Sequence, residues 1–170
     1  MSQDDRPTVT DLGEGADPPA PPPGYKLIKL WPKGNFADVN GPLYRRIEEG
    51  KLTVAFRVEA RHCNPYDNCH GGMLMTFADM VLGMGSNFAE KLNRFLPTVN
   101  LTGDFLAAVP LGSWVEGRAE VLRVTRNLVF AQCLVTADGT PALRVSGIMK
   151  MGAPFDPAAR EAAKGEANRA

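Results

Sequence analysis

Charge of one sign is what this sequence most lacks. Lysine plus arginine and aspartate plus glutamate each number 19, so the formal net charge is zero. Such a balance gives nucleic acid and other polyanions no hold, and no nucleic-acid partner is expected. No apolar run approaches the roughly 20 residues of a membrane-spanning helix, so no membrane is expected either. Residues 1–17 are polar and acidic, without the basic start and apolar core of a secretory signal, and a cytoplasmic protein is expected. Cysteine is scarce: Cys63, Cys69 and Cys133. An odd count in a chain of 170 residues is no disulfide framework, and reduced thiols are expected. Histidine is scarcer still. His62 and His70 stand beside Cys63 and Cys69, but the intervening Asn64 to Asn68 contains Pro65 and matches no zinc spacing. No metal is expected. Internal repeats are absent from the sequence.

What is present is enough apolar residue, 44%, for one core. Residues 1–39 divide into a flexible leader with the run Pro18-Pro19-Ala20-Pro21-Pro22-Pro23, which favours an extended chain, and a covering segment from Tyr25. The folded domain is expected over 40–152, and 153–170 reads as a tail rich in Ala, Glu, Lys and Arg. Within the domain, Leu43–Ile47 and Leu52–Glu59 flank the turn Glu48-Glu49-Gly50-Lys51 and predict a hairpin. A loop rich in turn formers follows from Arg61 to Cys69. After a helix, four strands are expected: Thr98–Leu106, Ser113–Val124, Leu128–Ala137 and Thr140–Met151. The last three read as a meander, closed at Asp138-Gly139 by a hairpin turn. Gly103-Asp104, inside the first of the four, reads as a bulge.

The helix organises the rest. Met73, Phe77, Met80, Val81 and Met84 recur at helical spacing, and Leu74, Met75, Thr76, Ala78 and Leu82 make its other faces hardly more polar. A helix apolar all round is a buried one. A curved antiparallel sheet would wrap it, and the open edge or face of such a sheet favours pairing with a second copy. Yet Asp79 stands in its middle, with no Lys or Arg within a turn or two. A lone carboxylate there costs several kcal/mol unless wetted, protonated or paired, and such local inconsistencies often mark function.

Asn64-x5-His70-Gly71-Gly72-x6-Asp79, with the strands in this order, resembles the signature of the hotdog-fold acyl-CoA thioesterases, in particular the phenylacetic-acid-degradation (PaaI) type. The resemblance runs from about Gly41 to Met151 and includes Gly41-Pro42-Leu43-Tyr44 and the Pro110-x-Gly112 turn. It implies an α+β hotdog fold, an antiparallel β-sheet wrapped around one central helix. It also implies a homodimer with sites at the subunit interface, often a homotetramer, and hydrolysis of acyl-CoA without metal or cofactor. Asn64 resembles the family's loop Asn, and Thr98 a Ser/Thr that positions the attacking water. Arg126 and Asn127 resemble the position facing the CoA nucleotide, with Arg123 and Arg94 as lesser candidates. Many relatives have a Gly where this chain has Thr125-Arg126-Asn127.

The chemistry follows from residue types. Gly71 and Gly72 at a helix start expose N–H groups without intrahelical acceptors, suited to polarising a thioester carbonyl. Asp79 is the expected nucleophile or general base, its basicity raised by apolar surroundings. His70 is expected to hold the helix start, and Cys69 to pack. Nine helical residues separate His70 from Asp79, about 13.5 Å and half a turn out of phase. One thioester carbon cannot touch both, so the Gly71 N–H and Asp79 that act together must come from two subunits. A non-catalytic acyl-CoA sensor on the same scaffold is the alternative. A dehydratase for hydroxyacyl thioesters ranks below both, because it usually needs a carboxylate and a His from another motif.

Overall fold

The structure, a computed structural model, describes residues 20–28 and 34–154. The proline-rich leader up to residue 19 and the tail from 155 lie outside the described residues, as do residues 29–33. Short elements come first: β1 (Lys26–Leu27) and α1 (Phe36–Val39). The hairpin β2 (Tyr44–Glu48) and β3 (Lys51–Arg57) follows, then a 3-10 turn (Ala60–His62) and the long helix α2 (Gly71–Glu90). The chain then runs through β4 (Thr98–Phe105), β5 (Trp114–Val124), β6 (Leu128–Ala137) and β7 (Thr140–Lys150).

The seven strands among the described residues form one antiparallel sheet in the order β1-β2-β3-β5-β6-β7-β4. The meander β5-β6-β7 is as the sequence pattern predicts. β4 is not adjacent to β5, which follows it in the chain. It crosses to the far side of the sheet and pairs with β7, leaving its other edge open. Its register against β7 is continuous from Asn100 to Phe105, so Gly103-Asp104 is no bulge. The irregularities fall between Thr98 and Asn100, between Val121 and Arg123, and between Val135 and Thr136. At Gly103 the small residue makes room instead, since a Cβ there would stand 2.8 Å from the Met75 sulfur.

α2 lies in the concave face of the sheet. Its inner side is Met73, Leu74, Phe77, Ala78, Val81, Leu82, Gly85 and Ser86, two adjacent rows at helical spacing. Against it pack Phe56, Val115, Val129, Val135, Leu143 and Val145, all fully buried. The helix comes close because small residues face it. A Cβ on Gly147 would meet Leu82 Cδ1 at 2.7 Å, and one on Gly85 would meet Ala119 Cβ at 2.5 Å. The expectation of a helix buried all round is corrected here. Met75, Thr76, Asp79, Met80, Gly83 and Met84 are only half-buried in the single chain. One sheet can cover one side of a helix; the period of the apolar residues cannot say that the opposite side is left open.

The described part of the N-terminal segment adds the edge strand β1 to the sheet, puts Ile28 in the main core and groups Tyr25 with Ala55 and Trp114 in a second buried cluster. β1 extends the hairpin, and Tyr25 packs edge-on against Trp114, with ring centroids 5.1 Å apart. Tyr44 leans on the same indole, and Arg46 lies 4.7 Å over the Tyr25 ring.

Candidate active site

The start of α2 is held from two sides. The Cys69 N–H donates to the Val109 carbonyl at 2.7 Å and the His70 N–H to the His62 carbonyl at 2.7 Å. His70 is the cap: its Nδ1 accepts the Gly72 N–H at 2.9 Å, and its carbonyl accepts from Met73 and Leu74. Among the described residues nothing accepts from the Gly71 N–H. That donor therefore stands free at the positive end of a 20-residue helix. Beside it stands the Phe105 ring, whose Cζ would lie 3.1 Å from a Cβ on Gly71. Phe105 is 55% exposed, at the end of the open strand β4.

The anchor of this arrangement is His62, for which the sequence pattern suggests no role but a metal ligand's. It is 3% exposed and packs edge-on against Phe56, which in turn packs against Phe77 of α2. Its Nδ1 accepts the Glu59 N–H at 3.0 Å. Burial, and then the charge of Arg61, push its pKa down to about 4, so it is a neutral structural imidazole. Among the described residues no three His, Cys, Asp or Glu side chains converge to hold a metal ion.

Two turns along α2, Asp79 sits on the half-buried side of the helix. The Thr98 hydroxyl, at the opening of β4, donates to its Oδ1. No Lys or Arg among the described residues forms an ion pair with it. The carboxylate is thus neither sealed in the core nor neutralised; one hydroxyl orients it.

Asn64 lies in the turn at the foot of α2. Its side-chain oxygen accepts the Tyr66 N–H at 2.9 Å and the Asn68 N–H at 3.4 Å, so that oxygen is engaged in the turn. The turn is tied to the β4–β5 connection, where the Leu111 N–H donates to the Asp67 carbonyl at 2.8 Å.

Arg126 and Asn127 are exposed in the β5–β6 turn, which the Thr125 hydroxyl closes by accepting the Leu128 N–H at 2.9 Å. The Asn127 carbonyl accepts from Met151 at 2.7 Å, and Arg94 donates to the Gly152 carbonyl at 2.9 Å. Arg94, Arg126 and Asn127 therefore lie at the end of the sheet where β4 begins. Asn64, His70, Gly71 and Phe105 stand at the other end. Exposed Arg123 is the next-to-last residue of β5. One chain brings Asp79 and Thr98 together, and the Gly71 N–H and Phe105 together, but the two pairs remain apart. Phe105 was missed in sequence, although strand alternation through Leu101 and Gly103 places it on the helix side of β4.

Residues 66–142 match the model of the Thioesterase superfamily. A Pseudomonas aeruginosa protein named as a putative esterase is 28% identical over 131 residues, 76% of this chain and 96% of that protein. A mutant of the phenylacetic acid degradation protein PaaI from Thermus thermophilus superposes with a TM-score of 0.59 at 23% identity, covering 68% of this chain and 97% of the other. A hypothetical thioesterase from Streptococcus pneumoniae, solved with coenzyme A, gives 0.60 at 19% identity, covering 67% and 91%.

Proposed function

We infer that this chain, a hotdog-fold protein of thioesterase type, hydrolyses acyl-CoA thioesters as a dimer whose sites lie across the subunit interface. The observation that carries the reading is a split constellation. A free helix-start N–H and an oriented, unpaired carboxylate stand about 12 Å apart along one helix, estimated from eight residues of rise. A single carbonyl carbon cannot use both.

β4 supplies the means to join them. Its free edge presents unpaired backbone groups, as an edge strand does. Its first residue, Thr98, touches Asp79, and its last, Phe105, touches Gly71. A second copy paired antiparallel along β4 about a two-fold axis near Leu101 and Thr102 lays the Phe105 end of one chain on the Thr98 end of the other. The Gly71 N–H of one subunit then faces the carboxylate of its twin. The half-buried side of α2 and exposed Val99 and Phe105 are covered by the same contact.

In that site the thioester carbonyl accepts from the Gly71 N–H, which stabilises the oxyanion as charge develops. Asp79 takes a proton from water as the water oxygen bonds to the carbonyl carbon, or attacks that carbon itself and is freed by water afterwards. The Thr98 hydroxyl holds the carboxylate toward the reacting carbon. The C–S bond breaks, and the CoA thiolate leaves and is protonated. Arg126 and Asn127, with Arg94 as a lesser candidate, would meet the phosphates of CoA from the end of the sheet nearest Thr98. The coenzyme A held by the Streptococcus pneumoniae thioesterase supports this substrate class.

The test is thiol release across a panel of aryl and aliphatic acyl-CoAs, repeated with Asp79→Asn. Loss of release with fold and acyl-CoA binding intact supports the reading. Undiminished release by the variant refutes the role of Asp79, and binding without turnover by the unaltered protein favours a sensor.

A further inference from the structure

Cys63 and Cys69 are both free thiols, and the fold sets them directly opposite each other in a short antiparallel bridge. The flanking hydrogen bonds define what kind of pair it is. The His70 N–H donates to the His62 carbonyl at 2.7 Å, and the Asn64 N–H to the Asn68 carbonyl at 2.8 Å. The bonds thus belong to the neighbours on either side, and the two cysteines form a non-hydrogen-bonded pair. Such partners have Cα atoms about 4.5 Å apart and side chains on the same face. Disulfides span Cα separations of about 4.4–6.8 Å. Both side chains here pack toward the main core, Cys69 within it and Cys63 at its margin.

We propose that Cys63 and Cys69 are a redox-responsive pair, which a small-molecule disulfide closes into a reversible cross-strand disulfide around the Asn64–Asn68 turn at the foot of α2. Cys63 is half-buried and Cys69 is 5% exposed, so Cys63 meets the oxidant first. Its thiolate attacks one sulfur of the oxidant, forming a mixed disulfide and releasing one thiol. The Cys69 thiolate then attacks the Cys63 sulfur and expels the second thiol. Two protein thiols and one small disulfide become one protein disulfide and two small thiols, and a dithiol reductant reverses the sequence. Burial raises the pKa of both cysteines, Cys69 to about 12, and the neighbouring sulfur adds to the rise at Cys69. The reduced pair therefore reacts slowly, at a rate that rises with the oxidant. The bridge closes a ring of only seven residues, which gains less from loop entropy than a long loop would. It would lock the turn that carries Asn64 and adjoins the cap residue His70. The disulfide forms whether or not the chain hydrolyses thioesters.

The test is incubation of the full folded chain with glutathione disulfide, alkylation of remaining thiols, and cleavage on the N-terminal side of aspartate. Cleavage before Asp67 falls between the two cysteines and yields peptides 38–66 and 67–78. The expected result is that these two peptides run joined until reduced, with Cys133 alkylated. Backbone amide exchange over 64–68 should slow at least several-fold in the oxidised protein. Alkylation of both Cys63 and Cys69 after oxidation, or a link to Cys133, overturns the pairing. A Cys63–Cys69 link with unchanged exchange overturns its action on the turn.

Discussion

At the scale of single residues, Asp79 and Gly71 make opposite demands on their surroundings. Asp79 needs to remain accessible, and the half-exposed side of α2 provides that; replacing it with Asn should lower kcat by about 100-fold or more, as for a lost general base. Thr98→Val keeps the shape and removes the hydroxyl that donates to Asp79. A roughly 10-fold fall in kcat with a smaller change in KM is expected, the pattern of a positioning role. Gly71 needs to remain bare. A methyl there meets the Phe105 ring at 3.1 Å, so Gly71→Ala should displace the ring and cut thiol release. His62 predicts a pH dependence of stability. In the fold it takes up a proton only near pH 4, against 6.5 in the unfolded chain. Between those values the unfolded state binds more protons, so its contribution is full above pH 6.5 and is lost as pH falls toward 4. The slope approaches about 1.4 kcal/mol per pH unit at most. Glu59, raised by burial, works the other way on acidification. Urea unfolding of wild type against His62→Phe across this range isolates the histidine: the variant should lack the downward slope.

At the scale of elements, α2 is defined by its ends and its inner rows. The N-terminus rests on the His70 cap, and His70→Ala should cost about 1 kcal/mol. The C-terminus closes with Lys91 in the left-handed region, its N–H bonded to the Asn87 carbonyl. The Asn87 side chain also holds the main chain of Arg94, donating to its carbonyl at 2.8 Å and accepting its N–H at 3.0 Å. The interior depends on small residues in the sheet. Gly147→Val drives two methyls toward Leu82, and a loss of about 1–3 kcal/mol in a thermal or urea melt is expected.

At the scale of the molecule, the open edge of β4 and the split constellation make one prediction that a self-contained site would not. Asp79→Asn and Gly71→Ala chains, each impaired alone, should regain activity when unfolded together and refolded. Random pairing puts one intact site in each mixed dimer, so about a quarter of wild-type activity should return. No recovery, with mixed dimers demonstrated by mass, would mean that each chain uses its own Gly71 and Asp79.

Residue order alone determined the hairpin β2-β3, the four strands after the helix, the turn at Asp138-Gly139, the helix from Gly71 and the oddness of Asp79, because turn chemistry, capping and hydrophobic period are local properties; β1, α1 and the 3-10 turn it did not show. His-Gly-Gly with a later Asp was legible for the same reason. Only the tertiary structure decided that β4 crosses to the far edge beside β7, that α2 keeps one side open, that Thr98 reaches Asp79, that Phe105 stands over Gly71, and that His62 supports the helix start. Those facts join residues far apart in the chain through strand order and close packing, and no periodicity records which distant segment will fill a given space.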